Sequence, residues 1–313
     1  MRWEDFRRSS NIEDRRGDVS FGQGGFGRGG VGAGAGGLGL GTIIVLGLIG
    51  WALGIDPSVL INDAEMFSEN GPSYENPSMP SPASGTSVGT GAPADPTGQF
   101  VAAVLGDTED RWQEIFRSRG KTYIPPKLVM FSGVTRSACG TAQSAMGPFY
   151  CPNDQRVYLD TAFFRQIETR FHGCDVGSNT CQFAQAYVIA HEIGHHVQNL
   201  LGILPKAQQI QASMGQVKAN QLQVRIELQA DCLAGVWASR AQQKWSFLEP
   251  GDVSAALQTA SAIGDDTLQK RAQGYVVPDA FTHGSAEQRR HWFSAGLKTG
   301  AIESCDTFSV AQP

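Results

Sequence analysis

His191-Glu192-Ile193-Gly194-His195 is an H-E-x-x-H pentapeptide. On an α-helix, residues four apart share one face, so His191 and His195 can both point at one metal ion. Imidazole nitrogen bonds zinc at about 2.0–2.1 Å, and rings from adjacent turns can meet at that distance. Glu192 lies one step round the helix and need not ligate. Its carboxylate is left to take a proton from a water activated by the metal. The chemistry this pattern implies is metal-assisted hydrolysis.

A hydrolytic zinc site needs a third protein ligand and one open position. The longer pattern H-E-x-x-H-x-x-G-x-x-H does not supply it, because Gln198 and Leu201 stand at its Gly and third His positions. The best-placed donor is Glu227, in Arg225-Ile226-Glu227-Leu228-Gln229-Ala230-Asp231. Glu227 and Asp231 are four apart on an expected helix, bounded by Leu228, Ala230, Leu233 and Ala234. Carboxylates in apolar surroundings need a partner or a metal. A division of labour follows: Glu227 binds zinc, while Asp231 accepts the free ring N–H of a ligand histidine and fixes its tautomer. The alternative is an exposed acidic pair with Arg225. His283, in Thr282-His283-Gly284-Ser285, is the candidate donor to an oxyanion, acting where charge develops. Against that, Thr282 or Ser285 merely caps a helix starting near Ala286. His196 points about 100° away from His195 round the helix and reads as structural. Tyr187 reads as core, and His172 and His291 as surface or core. Arg289, Arg290 and Trp292 either line a cleft or cap the fold.

The elements that must position these groups are legible as periodicities. Phe183, Ala186, Tyr187, Ala190, Ile193, Val197 and Leu200 make one face of a helix over 182–201, with Gly202 as its stop. Residues 206–243 read as one or two more helices, and a helical pair follows Pro250. Earlier, Val101, Val104, Leu105, Trp112, Ile115 and Phe116 fall at helical spacing, ended by Pro125 and Pro126. Lys127–Phe131 and Arg156–Asp160 read as strands. An exposed strand around Val157–Leu159 is expected to pair with a substrate backbone. The fold class is α+β, mainly helical with a small sheet.

Upstream, the chain changes character. Residues 1–37 are polar, then Gly-rich, and read as a flexible tail. Residues 38–55 carry no charge; as a helix they span about 27 Å, just enough for a transmembrane anchor. Residues 56–98 read as a disordered Pro/Ser/Gly linker, leaving 99–313 as the folded domain. Six arginines precede the apolar run and the next basic residue is Arg111, which places the N-terminus in the cytoplasm and the domain outside, on the periplasmic side.

All six cysteines lie after residue 138, an even number suited to disulfides in an oxidising compartment. Cys139 with Cys151 closes a hairpin-sized loop, Cys174 with Cys181 a short one, and Cys232 with Cys305 ties distant segments. Free buried thiols are the alternative. The net charge of −5 and the lack of a basic run exclude nucleic acid as the main partner.

Taken together, H-E-x-x-H and E-x-x-x-D resemble the gluzincin metallopeptidases. The chain is more closely similar to the bacterial neutral zinc metallopeptidase family of YpfJ-like proteins. The blocks that carry the likeness are MRWEDFRRSSNIEDRRG, PFYCPNDQRVYLD, YVIAHEIGHHVQNLLG, RIELQADCLAGVWA and FTHGSAEQRRHWF, with a Gly-rich stretch before one apolar span. The resemblance implies a zincin-like domain with an active-site helix beside a small sheet. It implies Zn2+ on His191, His195 and Glu227, and Glu192 as general base. The expected activity is that of a membrane-anchored zinc endopeptidase on peptide or protein substrates. Two rivals stand beside it: a membrane-tethered scaffold with a structural or degenerate metal site, and a zinc amidase acting on cell-wall bonds.

Overall fold

Glycines, caps and alternating apolar residues set the framework that carries the site. The computed structural model describes residues 1–17, 89–144, 147–175, 178 and 180–313. The expected transmembrane segment 38–55 lies outside the described residues. Among those described, no helix is long and apolar enough to cross a membrane.

The fold is α+β and mainly helical, with a small sheet. Its strands are β1 (Ile12–Asp14), β2 (Gly89–Thr90), β3 (Lys127–Phe131), β4 (Val134–Ser137), β5 (Gly140–Gln143), β6 (Phe149–Cys151) and β7 (Arg156–Asp160). Its helices are α1 (Pro96–Ser118), α2 (Ala162–Thr169), α3 (Cys181–Leu200), α4 (Ile203–Gln211), α5 (Gln216–Trp245), α6 (Asp252–Ala262), α7 (Asp265–Gln273) and α8 (Ala286–Thr299). The main sheet runs β2-β1-β3-β7-β6, with β1, β3 and β7 parallel and the two outer strands antiparallel; β4 and β5 form a separate hairpin. Alternation sorts β3 and β7. Leu128, Met130, Val157 and Leu159 face the helical core, while Val129, Phe131 and Tyr158 join Ala142 and Cys151 on the other side.

Three expectations change here. The first concerns residues 1–17, expected to be part of a flexible tail. They are built into the domain: Met1, Phe6 and Ile12 are buried, and β1 sits inside the sheet between β2 and β3. Ser9 and Asn11 donate to Glu109 at 2.7 and 2.8 Å, and Arg7 pairs with the same carboxylate at 2.7 Å. The second concerns the linker, which ends earlier than expected. Its last residues form β2 and the start of α1, where Asp95 caps by accepting from Gly98 N–H at 3.0 Å and Pro96 stands at the first helical position. The third concerns the expected exposed strand at Val157–Leu159. It belongs to β7, an interior strand; the sheet edge on that side is β6. The first helix also reaches further forward than its apolar period because Pro96 needs no hydrogen-bonded N–H at that position.

Asp95 also receives Arg16 at 2.6 Å, joining the N-terminal segment to the start of α1. The Arg16 guanidinium is the main reason its carboxyl falls from an ordinary 3.8 to about 2. A depressed carboxyl stabilises the folded state above its unfolded pKa, and that contribution is lost as pH falls through the folded one. Because Asp95 is 42% exposed, water screens the pair and its worth stays under about 1 kcal/mol. Asp95→Asn should therefore melt up to about 3 °C below wild type at pH 7. The gap should narrow as pH falls through 4 toward 2. A gap unchanged with pH in thermal melts would remove the ion pair from the account.

The six cysteines form the three expected disulfides: Cys139–Cys151, Cys174–Cys181 and Cys232–Cys305. The first joins the β4–β5 hairpin to the edge strand β6.

Candidate metal centre

The two helices that carry the H-E-x-x-H and E-x-x-x-D segments, α3 and α5, pass with their backbones close together. Gly194 makes this possible: a Cβ there would lie 2.9 Å from the Ala230 carbonyl oxygen and 3.1 Å from its Cα. Further along, α5 meets α8 as closely. A Cβ at Gly235 would overlap the Phe293 carbonyl oxygen, and one at Gly296 that of Cys232. These contacts bring residues from three helices to one point.

At that point His191, His195 and Glu227 place one donor atom each within 4.8 Å of one another. Glu227 Oε2 lies 3.2 Å from His191 Nε2 and 3.5 Å from His195 Nε2. Tetrahedral zinc with bonds of about 2.0–2.2 Å sets its donors roughly 3.3–3.6 Å apart, so the two distances from Glu227 fit that ion. The ring orientations fit as well. His191 Nδ1 is 2.8 Å from Asp231 Oδ1, and His195 Nδ1 is 2.9 Å from Gln198 Oε1. Each acceptor holds the proton on Nδ1 and leaves the Nε2 lone pair toward the shared point. Gln223, one turn before Glu227, donates to Glu227 Oε1 at 2.8 Å and turns Oε2 inward.

The electrostatics call for a cation. Burial pushes both histidines down, yet Asp231 and then Glu227 raise His191 to about 10, and Glu227 raises His195. Burial pushes Glu227 up, but His195 and then His191 hold its carboxyl well below the usual range. A field that draws a proton into this pocket draws a divalent ion there too. Burial raises Glu192, beside the donors and outside the ligand trio.

Asp231 is the hub behind the ligands. Arg289 of α8, itself buried, holds it from Nε and Nη2, both at 2.9 Å, and the Tyr187 hydroxyl donates to it at 2.6 Å. Burial alone would raise the Asp231 carboxyl; Arg289 first, then His191, brings it down to about 2. Tyr187 is buried as expected and Arg289 reaches the metal-site hub. Arg290 is exposed.

His283 is brought to the same neighbourhood. Its Nδ1 lies 3.2 Å from Asp265 Oδ1, while Asp265 Oδ2 accepts backbone N–H groups of Thr282, His283 and Gly284 at 2.7, 2.6 and 3.0 Å. Burial pulls His283 down, but Asp265 and then Glu227 raise it, so its charge is felt at the ligand carboxylate. Ser285 does cap α8, through a capping box with Gln288, as the alternative reading of this segment expected. His196 is structural, 2.7 Å from the Ile124 carbonyl and 3.0 Å from the Tyr150 hydroxyl. His291 is exposed on α8.

Sequence reasoning missed Asp265, Gln223 and the orienting role of Gln198. For the two glutamines a signal existed, since each lies within one helical turn of a ligand. For Asp265 none did, because its partners lie across a turn between two helices.

The model of the family described as "Putative neutral zinc metallopeptidase" matches residues 1–308. The chain is 43% identical to the protein YpfJ of Escherichia coli K12 over 309 residues, covering 98% of this chain and 99% of that one. It is 44% identical to the protein Rv2575 of Mycobacterium tuberculosis H37Rv over 232 residues, 71% and 74% of the two chains. No solved structure matches. The match takes in β1, both metal-site helices and α8, and the chain belongs to this neutral zinc metallopeptidase family.

Proposed function

We propose that the protein is a zinc-dependent endopeptidase with Glu192 as general base. The observation that carries this reading is the meeting of His191, His195 and Glu227 donor atoms within 4.8 Å of one another, with buried Glu192 beside them. A zinc ion held there supplies Lewis acidity toward a carbonyl oxygen and toward water. The chain's residues do the rest. Asp231, Gln198 and Gln223 fix the donors' directions. Glu192, its carboxyl raised by burial, is basic enough to accept a proton from water and to pass it to the departing amine. His283, held by Asp265, donates to the oxygen on which negative charge develops. A purely structural ion would have no use for Glu192, which weighs against the scaffold reading.

The substrate backbone is assigned to the edge strand β6 in place of β7. Tyr150 of β6 is tied to the metal-bearing helix through His196 and Asn199, each 3.0 Å from its hydroxyl. An extended peptide paired there would be bound through its main chain, with little sequence preference. Three disulfides and no free cysteine suit a domain outside the cytoplasm.

The test is zinc analysis of the full chain together with its incubation with an unfolded protein and, separately, with purified cell-wall fragments. About one zinc per chain and cleavage of the protein support the reading. Zinc with cleavage of wall fragments alone replaces it by an amidase, and a chain that takes up no zinc refutes the site. His283→Ala should keep its zinc and lose about 10²- to 10³-fold in turnover, the range for one oxyanion donor. Unchanged turnover would take His283 out of the reaction.

A further inference from the structure

The N-terminal segment and the rest of the domain form a single folded body, and the chain leaves and re-enters that body at one corner. In the β1–β2 ladder Glu13 faces Thr90 and Asp14 faces Gly89, and Gly91 N–H donates to the Ile12 carbonyl at 3.0 Å. The last residues described before position 18 therefore lie beside the first described after position 88. The attachment is extensive. On its other side β1 pairs with β3 from Ile12↔Leu128 to Asp14↔Met130. Phe6 sits among Trp245 and Phe247, Trp3 against Phe100, and the Met1 amine lies 3.0 Å from Asp252. The Arg7 carbonyl rests on Gly106, where a Cβ would overlap it. None of these contacts can form across a bilayer.

We propose that Met1–Gly17 and residues 89–313 occupy the same side of any membrane the chain meets. One crossing by residues 38–55 would put a hydrocarbon layer about 30 Å thick between β1 and its neighbours β2 and β3. It would also leave Glu109 without Ser9, Asn11 and Arg7. The chain between 17 and 89 is thus restricted to an even number of crossings, or to entry and exit through one leaflet. The arginine bias before the apolar run does not decide the placement of the N-terminus, because several of those arginines have partners in the fold. Arg7 pairs with Glu109 and Asp110, Arg15 with Glu13, and Arg16 with Asp14 and Asp95.

The test uses the full chain, expressed in spheroplasts, with one cysteine added at an exposed position. Every native cysteine is in a disulfide, so only the new thiol reacts. Ser10→Cys reports on the N-terminal segment, with Glu4→Cys as a second probe, and Ser294→Cys on α8 reports on the domain. A membrane-impermeant maleimide should label the N-terminal and domain cysteines under the same condition, both before permeabilisation or both only after it. Wild-type melting of each variant establishes that the fold is intact. Labelling of Ser294→Cys in sealed spheroplasts, with Ser10→Cys and Glu4→Cys protected until permeabilisation, would overturn the proposal. Labelling does not read peptidase activity, so this result is independent of the proposed reaction.

Discussion

With Glu192 replaced by Gln, the full chain is expected to hold zinc at the wild-type level and to cleave an unfolded protein about 10²- to 10⁴-fold more slowly. The substitution keeps size and polarity and removes only the ability to take a proton. Glu192 is outside the ligand trio, so zinc retention should not depend on it. Glu227→Ala is the contrast. It removes the oxygen that lies 3.2 and 3.5 Å from the two Nε2 atoms and leaves two buried imidazoles with no carboxylate between them. Loss of a residue that only orients a ligand costs about 10–100-fold in metal affinity, and loss of a ligand should exceed that. Zinc should therefore wash out of Glu227→Ala on dialysis, and activity with it. Metal analysis beside a cleavage assay separates the two variants. A Glu192→Gln chain that keeps both zinc and full activity would sink the general-base assignment, while a Glu227→Ala chain that keeps its zinc would sink the ligand assignment.

A chain lacking Met1–Gly17 is expected not to fold. Met1, Phe6 and Ile12 are all at most 3% exposed. Burial of each such side chain stabilises by about 1.5–3 kcal/mol, so the three together contribute roughly 5–9 kcal/mol. That equals much of the total stability of a typical domain, about 5–15 kcal/mol. The same deletion opens the middle of the sheet along β3. Circular dichroism melts and zinc analysis of the shortened chain, run against the full one, measure both effects. A cooperative melt near the wild-type temperature would show that β1 is dispensable, and would withdraw the main support for placing the N-terminal segment with the domain.

What was legible in the sequence follows physical range. The helix carrying His191 and His195, and the i, i+4 pair Glu227 and Asp231, could be read because a helix fixes side-chain direction over a few residues. The strands 127–131 and 156–160 were legible as short apolar runs. Strand order was not, since hydropathy says that β7 is buried but not that β6 covers its flank. The N-terminal segment was misread for a related reason. Ile12–Asp14 is a short strand rich in charge, and its partners Leu128–Met130 are remote in the chain, so no local period marks it. Arg289 and Asp265 belong to the same class. Arg289 acts through Asp231 on another helix and Asp265 through the loop residues Thr282–Gly284, and the close backbone contacts at Gly235 and Gly296 bring α8 within reach of Asp231.

The interior position of β1 also has a meaning in time. β1 is made before β3 and can be seated only after it, on the order of ten seconds later at 5–20 residues per second. Parallel pairings between distant segments form slowly, because the loop must close before any contact rewards it. Once β3 and β7 are made and until β1 is seated, β3 presents an open edge beside β7, the kind of surface that chaperones cover and that drives aggregation when left bare. Completion of the sheet is therefore gated by the docking of β1, and the sheet without it is a vulnerable species.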